Sequence, residues 1–177
     1  MKDAALIVAL SNARAPRKPT GARARVDHDA LADAAGASEL LAPFLGRAVT
    51  AREMPALREL QSALLAIVDA LIDGSPAPVA ALNRVAARHP AERMLEPQPD
   101  STLRATIAVA RRSAAAILTQ RAIDELDRLD VTRLRRCGRP ECGLVFYDRT
   151  RSGTQRWHSD RPCGLRERQR RHRASVS

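Results

Sequence analysis

The chain has 177 residues, 45% of them apolar but only 2% aromatic, and carries 30 Lys and Arg against 20 Asp and Glu, a formal net charge of +10. That length suits one ordinary domain with a small one appended, and an apolar content rich in alanine and poor in aromatics favours close-packed helices over a β-sandwich. No run of eighteen consecutive apolar residues occurs, which argues against a membrane-spanning helix.

Leu6, Ile7 and Leu10 fall on one face of a short opening helix that ends at Asn12. The apolar run from Ala4 to Leu10 is short for a secretory signal and has Asp3 in its flank, so the expected location is the cytoplasm. The stretch from Pro16 to Gly21 helps to terminate that opening helix, and residues Ala13 to Val26, basic and proline-bearing, read as a loop. Asp27 or Asp29 is placed to cap a short helix carrying Leu31 and closed by Gly36, and a further turn, Ser38 to Leu45, gathers Leu40, Leu41 and Phe44.

Thr50 and Glu53 have the spacing of a capping box ahead of Leu57, Leu60, Leu64, Ile67 or Val68, and Leu71, a helical stripe that ends at Asp73-Gly74. Pro55 falls late in the first turn and suggests a start a few residues on. Ser75-Pro76 predicts another helix, running to His89 with Val79, Leu82 and Val85 buried. An irregular loop or weak hairpin is expected from Ala91 to Thr102, around Met94-Leu95. A long helix is expected from Leu103 to Leu129, with Ile107, Ala110, Ala114, Ile117 or Leu118, Ile123 and Leu126 in periodic positions.

At Thr132 the composition changes. From there to the end 13 arginines meet four carboxylates, a net +9, which leaves +1 for residues 1–131. All three cysteines and the single tryptophan lie in the same segment. The potential ligands run Cys137, four residues, Cys142, fifteen residues, His158, four residues, Cys163. Two close pairs separated by a hairpin-sized gap suit a tetrahedral structural Zn2+ site, and four protein ligands leave no open position for catalysis. His158 is favoured as fourth ligand over His172, which lies nine residues past Cys163.

Arg133 to Cys137 reads as a strand, and Gly143 gives the backbone room to turn amide groups toward sulfur. Leu144 to Tyr147 is the clearest β-favouring run and is expected to pair with a return through Gln155 to His158. A basic helix, Leu165 to Arg173, follows, with Phe146 and Trp157 as a miniature core.

Cys137, Cys142, the segment Gly143 to Arg149, Arg156-Trp157 and Cys163-Gly164-Leu165-Arg166 together resemble the CGNR zinc finger. In that family the finger follows a helical ABATE domain in proteins regarded as stress-induced transcription regulators. The resemblance covers residues 132–173 closely; over residues 1–131 it rests on Leu6 to Asn12, on length and on the helical pattern. It implies a mainly α fold, with a helical N-terminal domain (1–131) that senses a ligand or dimerises. It also implies a small treble-clef-like finger (132–177) of β-hairpin and basic helix that binds Zn2+ and DNA. His158 stands where the family has cysteine, and Leu165 stands where its signature has asparagine.

The functional expectation is a zinc-dependent DNA-binding transcription regulator. Its contacts would come from Arg149, Arg151, Arg156, Arg166, Arg168, Arg170, Arg171 and Arg173, because forked guanidinium groups suit phosphate oxygens and guanine edges. A zinc-stabilised protein-interaction or RNA-binding module is the alternative, Tyr147 being the one candidate for base stacking. His28 and His89 read as ordinary loop residues. With no phosphate loop and no nucleophile beside a base, catalysis is not expected.

Overall fold

The computed structural model describes residues 4–17, 26–90, 92–108 and 113–176. Among them run α1 (Ala5–Ser11), β1 (Arg14–Arg17), β2 (Val26–Asp29), α2 (Ala34–Leu45), α3 (Met54–Ile72), α4 (Ala80–Arg88), β3 (Glu92–Pro97), β4 (Leu103–Ala108), α5 (Ala114–Asp127), β5 (Leu134–Arg136), β6 (Val145–Tyr147) and α6 (Leu165–Val176). The strands pair consecutively as three antiparallel ribbons. The architecture is predominantly helical, with more strand than the sequence pattern suggests. None of the described helices is long and apolar enough to cross a membrane.

The longest helix, α3, organises the core. Its stripe of Leu57, Leu60, Leu64 and Ile67 is sealed from solvent by Leu6 and Leu10 of α1, Leu41 of α2, Leu82 and Val85 of α4, and Leu118 and Ala122 of α5. Burying such side chains contributes roughly 1.5–3 kcal/mol each. The capping box forms: the Thr50 amide donates to Glu53 Oε2 at 3.0 Å, ahead of a single 3-10 turn, Ala51–Glu53. Pro55 is tolerated in the first turn of α3, where an amide has no helical partner to lose.

Two helix ends are capped by carboxylates from distant sequence. The amides of Leu6 and Ile7, opening α1, donate to Glu125 of α5 at 3.0 and 2.9 Å. The amide of Ala114, opening α5, donates to Glu53 Oε1 at 2.8 Å. Negative charge at these amino ends satisfies orphan donors and opposes the helix dipole. Glu53 also receives both Nη atoms of Arg47 at 2.6 and 3.1 Å. The Arg47 hydrogen bond, opposed by burial and aided by the amides of Ala114 and Thr50, holds the Glu53 carboxyl down at about 2.

Several expectations are corrected. The segment expected as a loop from Ala13 to Val26 contributes β1, and Arg14 pairs with Asp29 of β2. Cross-chain pairing imposes the extended form on a composition that does not announce a strand. In place of two short helices there is one, α2, capped by Asp33 through the Gly36 amide at 2.8 Å and not by Asp27 or Asp29. Gly36 is no terminator: a Cβ there would lie 2.8 Å from the Ala30 carbonyl oxygen, so glycine permits a close approach.

Helix α4 starts at Ala80 instead of Ser75-Pro76, which leaves Val79 48% exposed while Leu82 and Val85 are buried. The long helix expected from Leu103 to Leu129 is split into β4 and α5, because a short apolar run fits either period and β3 lies ready to pair with it. The side chains of His28, Ile107 and Arg171 and residues Lys18 to Gly21 and Ala110 lie outside the described residues. His89 ends α4 as its C-terminal cap.

Candidate metal centre and arginine surface

The first ligand pair is set by the β5–β6 ribbon, in which Leu134 faces Tyr147, Arg135 faces Phe146 and Arg136 faces Val145. The partner of β6 is therefore β5 and not the Gln155 to His158 segment, which docks by a single backbone bond from Gly138 N to Arg156 O at 2.8 Å. Between the strands the chain makes a tight knuckle, with Cys137 N donating to Leu144 O at 2.8 Å and Cys142 N to Arg139 O at 2.9 Å. Gly143 closes it at φ 67°, a left-handed conformation that costs an L side chain about 1–2 kcal/mol.

Of the second pair, His158 precedes the wide turn Asp160–Gly164 that opens α6 and Cys163 lies within it. The amides of Cys163 and Gly164 both converge on Ser159 O, at 3.4 and 3.3 Å. This i to i+5 geometry is uncommon and swings Cys163 inward ahead of the helix. Gly164 is dictated by crowding: a Cβ would lie 2.5 Å from Asp160 Oδ1 and 3.2 Å from the Trp157 ring.

These elements bring Cys137, Cys142, His158 and Cys163 together, their ligand atoms all within 4.8 Å of one another. The three cysteines are buried and free of disulfides. His158 Nδ1 lies 3.3 Å from Cys142 Sγ and 3.6 Å from Cys163 Sγ. Tetrahedral zinc with bonds of about 2.3 Å to sulfur and about 2.05 Å to nitrogen places those atoms about 3.6 Å apart, so the cluster has the size the ion needs. His172, exposed on α6, does not belong to it.

Electrostatics points the same way. Burial, with Cys142 and Cys137 adjacent, pushes the Cys163 thiol up to about 12. Burial also works against the Cys137 thiolate, but hydrogen bonds from the amides of Arg139 and His158 outweigh it and bring that thiol below its ordinary value. Crowded thiols resist ionisation unless a cation compensates them, and amides directed at sulfur are the usual support of a metal thiolate. The donor set fits Zn2+. Leu144 and Trp157 pack against the three cysteines, and Phe146 is buried nearby.

Sequence reasoning missed Asp148. It is fully buried and organises the loop that returns to His158. Its Oδ1 accepts from the Thr150 amide at 2.9 Å and hydroxyl at 2.6 Å, and its Oδ2 accepts from the Gln155 amide at 2.8 Å. Burial would raise this carboxyl, but these donors and the charge of Arg135 outweigh it and leave the pKa below the usual carboxylate value. The one legible signal was the Asp-x-Thr spacing of Asp148 and Thr150, which permits such a turn.

The arginines divide into distinct groups. Arg168 forks onto Asp160 at 2.9 and 3.2 Å, and Arg170 forks onto the buried Glu167 at 2.9 and 2.7 Å. Arg156 and Arg168 lie 5.7 and 6.0 Å from the centre of the Trp157 ring, within cation–π range. Arg149, Arg151, Arg166 and Arg173 are exposed. Leu165, at the asparagine position of the signature, is 44% exposed. Tyr147 is no open stacking platform: it packs half-buried beside Leu134, Val145, Ile7 and Val68.

That last cluster is the seam between helical body and finger. Ala4 and Ile7 of the α1 region and Val68 of α3 meet Leu134 and Val145, and Arg136 forms an ion pair with Asp69. Asn12, the C-terminal cap of α1, binds the β6 backbone twice: its Nδ2 donates to Val145 O at 2.8 Å and its Oδ1 accepts from Val145 N at 2.9 Å. A primary amide presents the same donor and acceptor pair as a neighbouring strand.

Residues 133–175 match the sequence model of the CGNR zinc finger. No curated protein matches the chain.

Proposed function

We propose that the zinc-ordered finger presents its arginine surface to duplex DNA and that the chain acts as a transcription regulator. The observation that supports this reading is the concentration of charge: 13 arginines against four carboxylates from Thr132 onward, beside a body of net +1. Each phosphate neutralised by such a surface releases a counterion. Exposed arginines, Arg149, Arg151, Arg166 and Arg173 among them, carry the phosphate contacts. The packing of Tyr147 in the seam favours a duplex over single-stranded RNA, which is bound largely by stacking. On the resemblance to ABATE proteins, the helical body senses an effector.

Binding of the zinc-loaded chain to duplex DNA should weaken steeply with salt, and Arg151→Ala or Arg166→Ala should each lower the log–log slope by about 1. Affinity indifferent to salt, or better competition by single-stranded RNA than by duplex, would count against the proposal. So would co-purification of a protein partner that blocks a chain with no DNA affinity of its own.

A further inference from the structure

A cleft of about 560 Å³ opens where the helical body meets the finger. Leu71 and Ile72, at the carboxyl end of α3, line it together with Val131 of the 3-10 turn Val131–Arg133, Arg135 and Arg136 of β5, and Arg156 of the returning loop. Its volume falls within the range of small-molecule sites, which favour the junction between structural units. Val131 is 40% exposed, one of the few large apolar side chains left to water among the described residues. Aliphatic surface and guanidinium groups thus share one concavity.

The lining holds three arginines and neither aspartate nor glutamate. Arg136 forms its ion pair with Asp69, and the charge of Arg135 reaches Asp148, whose oxygens already accept from three donors of its own loop. Arg135 donates from one Nη to Gly153 O at 2.7 Å, and Arg156 lies against the Trp157 ring. Carbonyl and ring are neutral, so they orient these two guanidinium groups and leave the charge of Arg156 in particular to be matched. Each guanidinium has five N–H donors to offer. We propose that the cleft binds a small organic anion, a carboxylate or phosphate head on an aliphatic body. The head meets Arg135 and Arg156, and the aliphatic part meets Leu71, Ile72 and Val131. Bare phosphate gains nothing from the aliphatic lining, a neutral apolar molecule gains nothing from the arginines, and a cation is repelled.

Arg156 belongs to the arginine surface of the finger as well. An occupied cleft therefore withdraws one guanidinium from DNA; this consequence rests on the DNA-binding and effector reading above, whereas binding of the anion does not. Octanoate titrated into the full, zinc-loaded chain, without DNA, should release or absorb heat saturably in calorimetry. It should also change the fluorescence of Trp157, because Arg156 lies 5.7 Å from that ring. A parallel titration with octyl phosphate shows which head is preferred. Octanol and inorganic phosphate should each bind at least about tenfold more weakly than the better of the two anions.

Val131→Asp sets a carboxylate in the cleft and should weaken the preferred anion by at least about tenfold, with far-UV circular dichroism and zinc content unchanged because the position is exposed. Arg156→Gln should weaken it by about tenfold. Val79→Asp adds the same charge at an exposed position outside the lining and should change nothing. The proposal is overturned if neither anion binds saturably, if octanol binds as well as either, or if Val131→Asp binds like wild type. A chain that takes up octanoate but not DNA keeps the cleft and loses the regulator; one that binds DNA and neither anion does the reverse.

Discussion

In the helical body the side chains withdrawn from water are mostly leucines, isoleucines, valines and alanines, with Ser11, Gln61 and Thr119 as neutral polar exceptions; in the finger they include three thiols, the Asp148 carboxylate and Glu167, with few apolar companions. The first set gains free energy simply by leaving water, whereas the second loses it unless something compensates each polar group. For Asp148 the compensation is local, three donors from its own loop. For the cysteines it is the ion their geometry fits. One chain thus holds a region that orders itself by burial beside one that orders itself by coordination, joined through the seam at Asn12 and Val145.

Metal removal should separate the two regions most sharply. Structural zinc is worth about 10–16 kcal/mol in isolated fingers, so chelation, or Cys163→Ser, should abolish finger order while much of the far-UV helical signal persists. Trp157 is the only tryptophan, so its fluorescence reports the finger alone. Simultaneous loss of both signals would mean that the body does not stand without the finger.

The converse experiment acts on the body. Leu64→Ala opens a cavity beside the α3 stripe and should cost about 2–5 kcal/mol in thermal or urea unfolding, with the metal distances, read by X-ray absorption on the zinc-loaded protein, unchanged.

Asn12→Ala sharpens the comparison at the seam. It strands the amide and carbonyl of Val145 and should cost about 1–3 kcal/mol, seen as a lower melting temperature and faster zinc transfer to a chelating dye. Asn12→Asp, which can still accept from Val145 N but cannot donate to Val145 O, should fall between. Equal zinc release from all three proteins would show that the seam does not support the metal site.

Acid gives the smallest effect. The Glu53 carboxyl sits at about 2 against an ordinary 4.5, so its contribution is complete above 4.5 and disappears as pH falls toward 2. Glu53→Gln should therefore be less stable than wild type at neutral pH by about 1 kcal/mol, discounted because Arg47 is partly exposed. The gap, followed by urea unfolding of the helical signal, should close as pH approaches 2. A gap that persists there would assign the loss to packing.

The metal centre was the most legible part of the chain because its constraints are covalent and local. Four ligands in two close pairs, with Gly143 and Gly164 beside them, need little more than their spacing to be recognised. The α3 stripe was equally plain, since nineteen residues give a helical period room to show itself. Where the reading failed, the deciding partner lay far away in sequence. The run from Leu103 to Ala108 became a strand because β3 paired with it, Gly36 was needed by Ala30, and Tyr147 was taken up by α1 and α3.

Composition, charge segregation and ligand spacing were thus determined by the sequence alone, because each depends on residues that are near neighbours or on simple totals. The tertiary structure alone decided which carboxylate caps which helix, how Asn12 stands in for a strand against Val145, and which arginines are held by Asp160 and Glu167. Those outcomes are settled by meeting distances of about 3 Å between groups up to 133 residues apart, and no local preference encodes such a meeting.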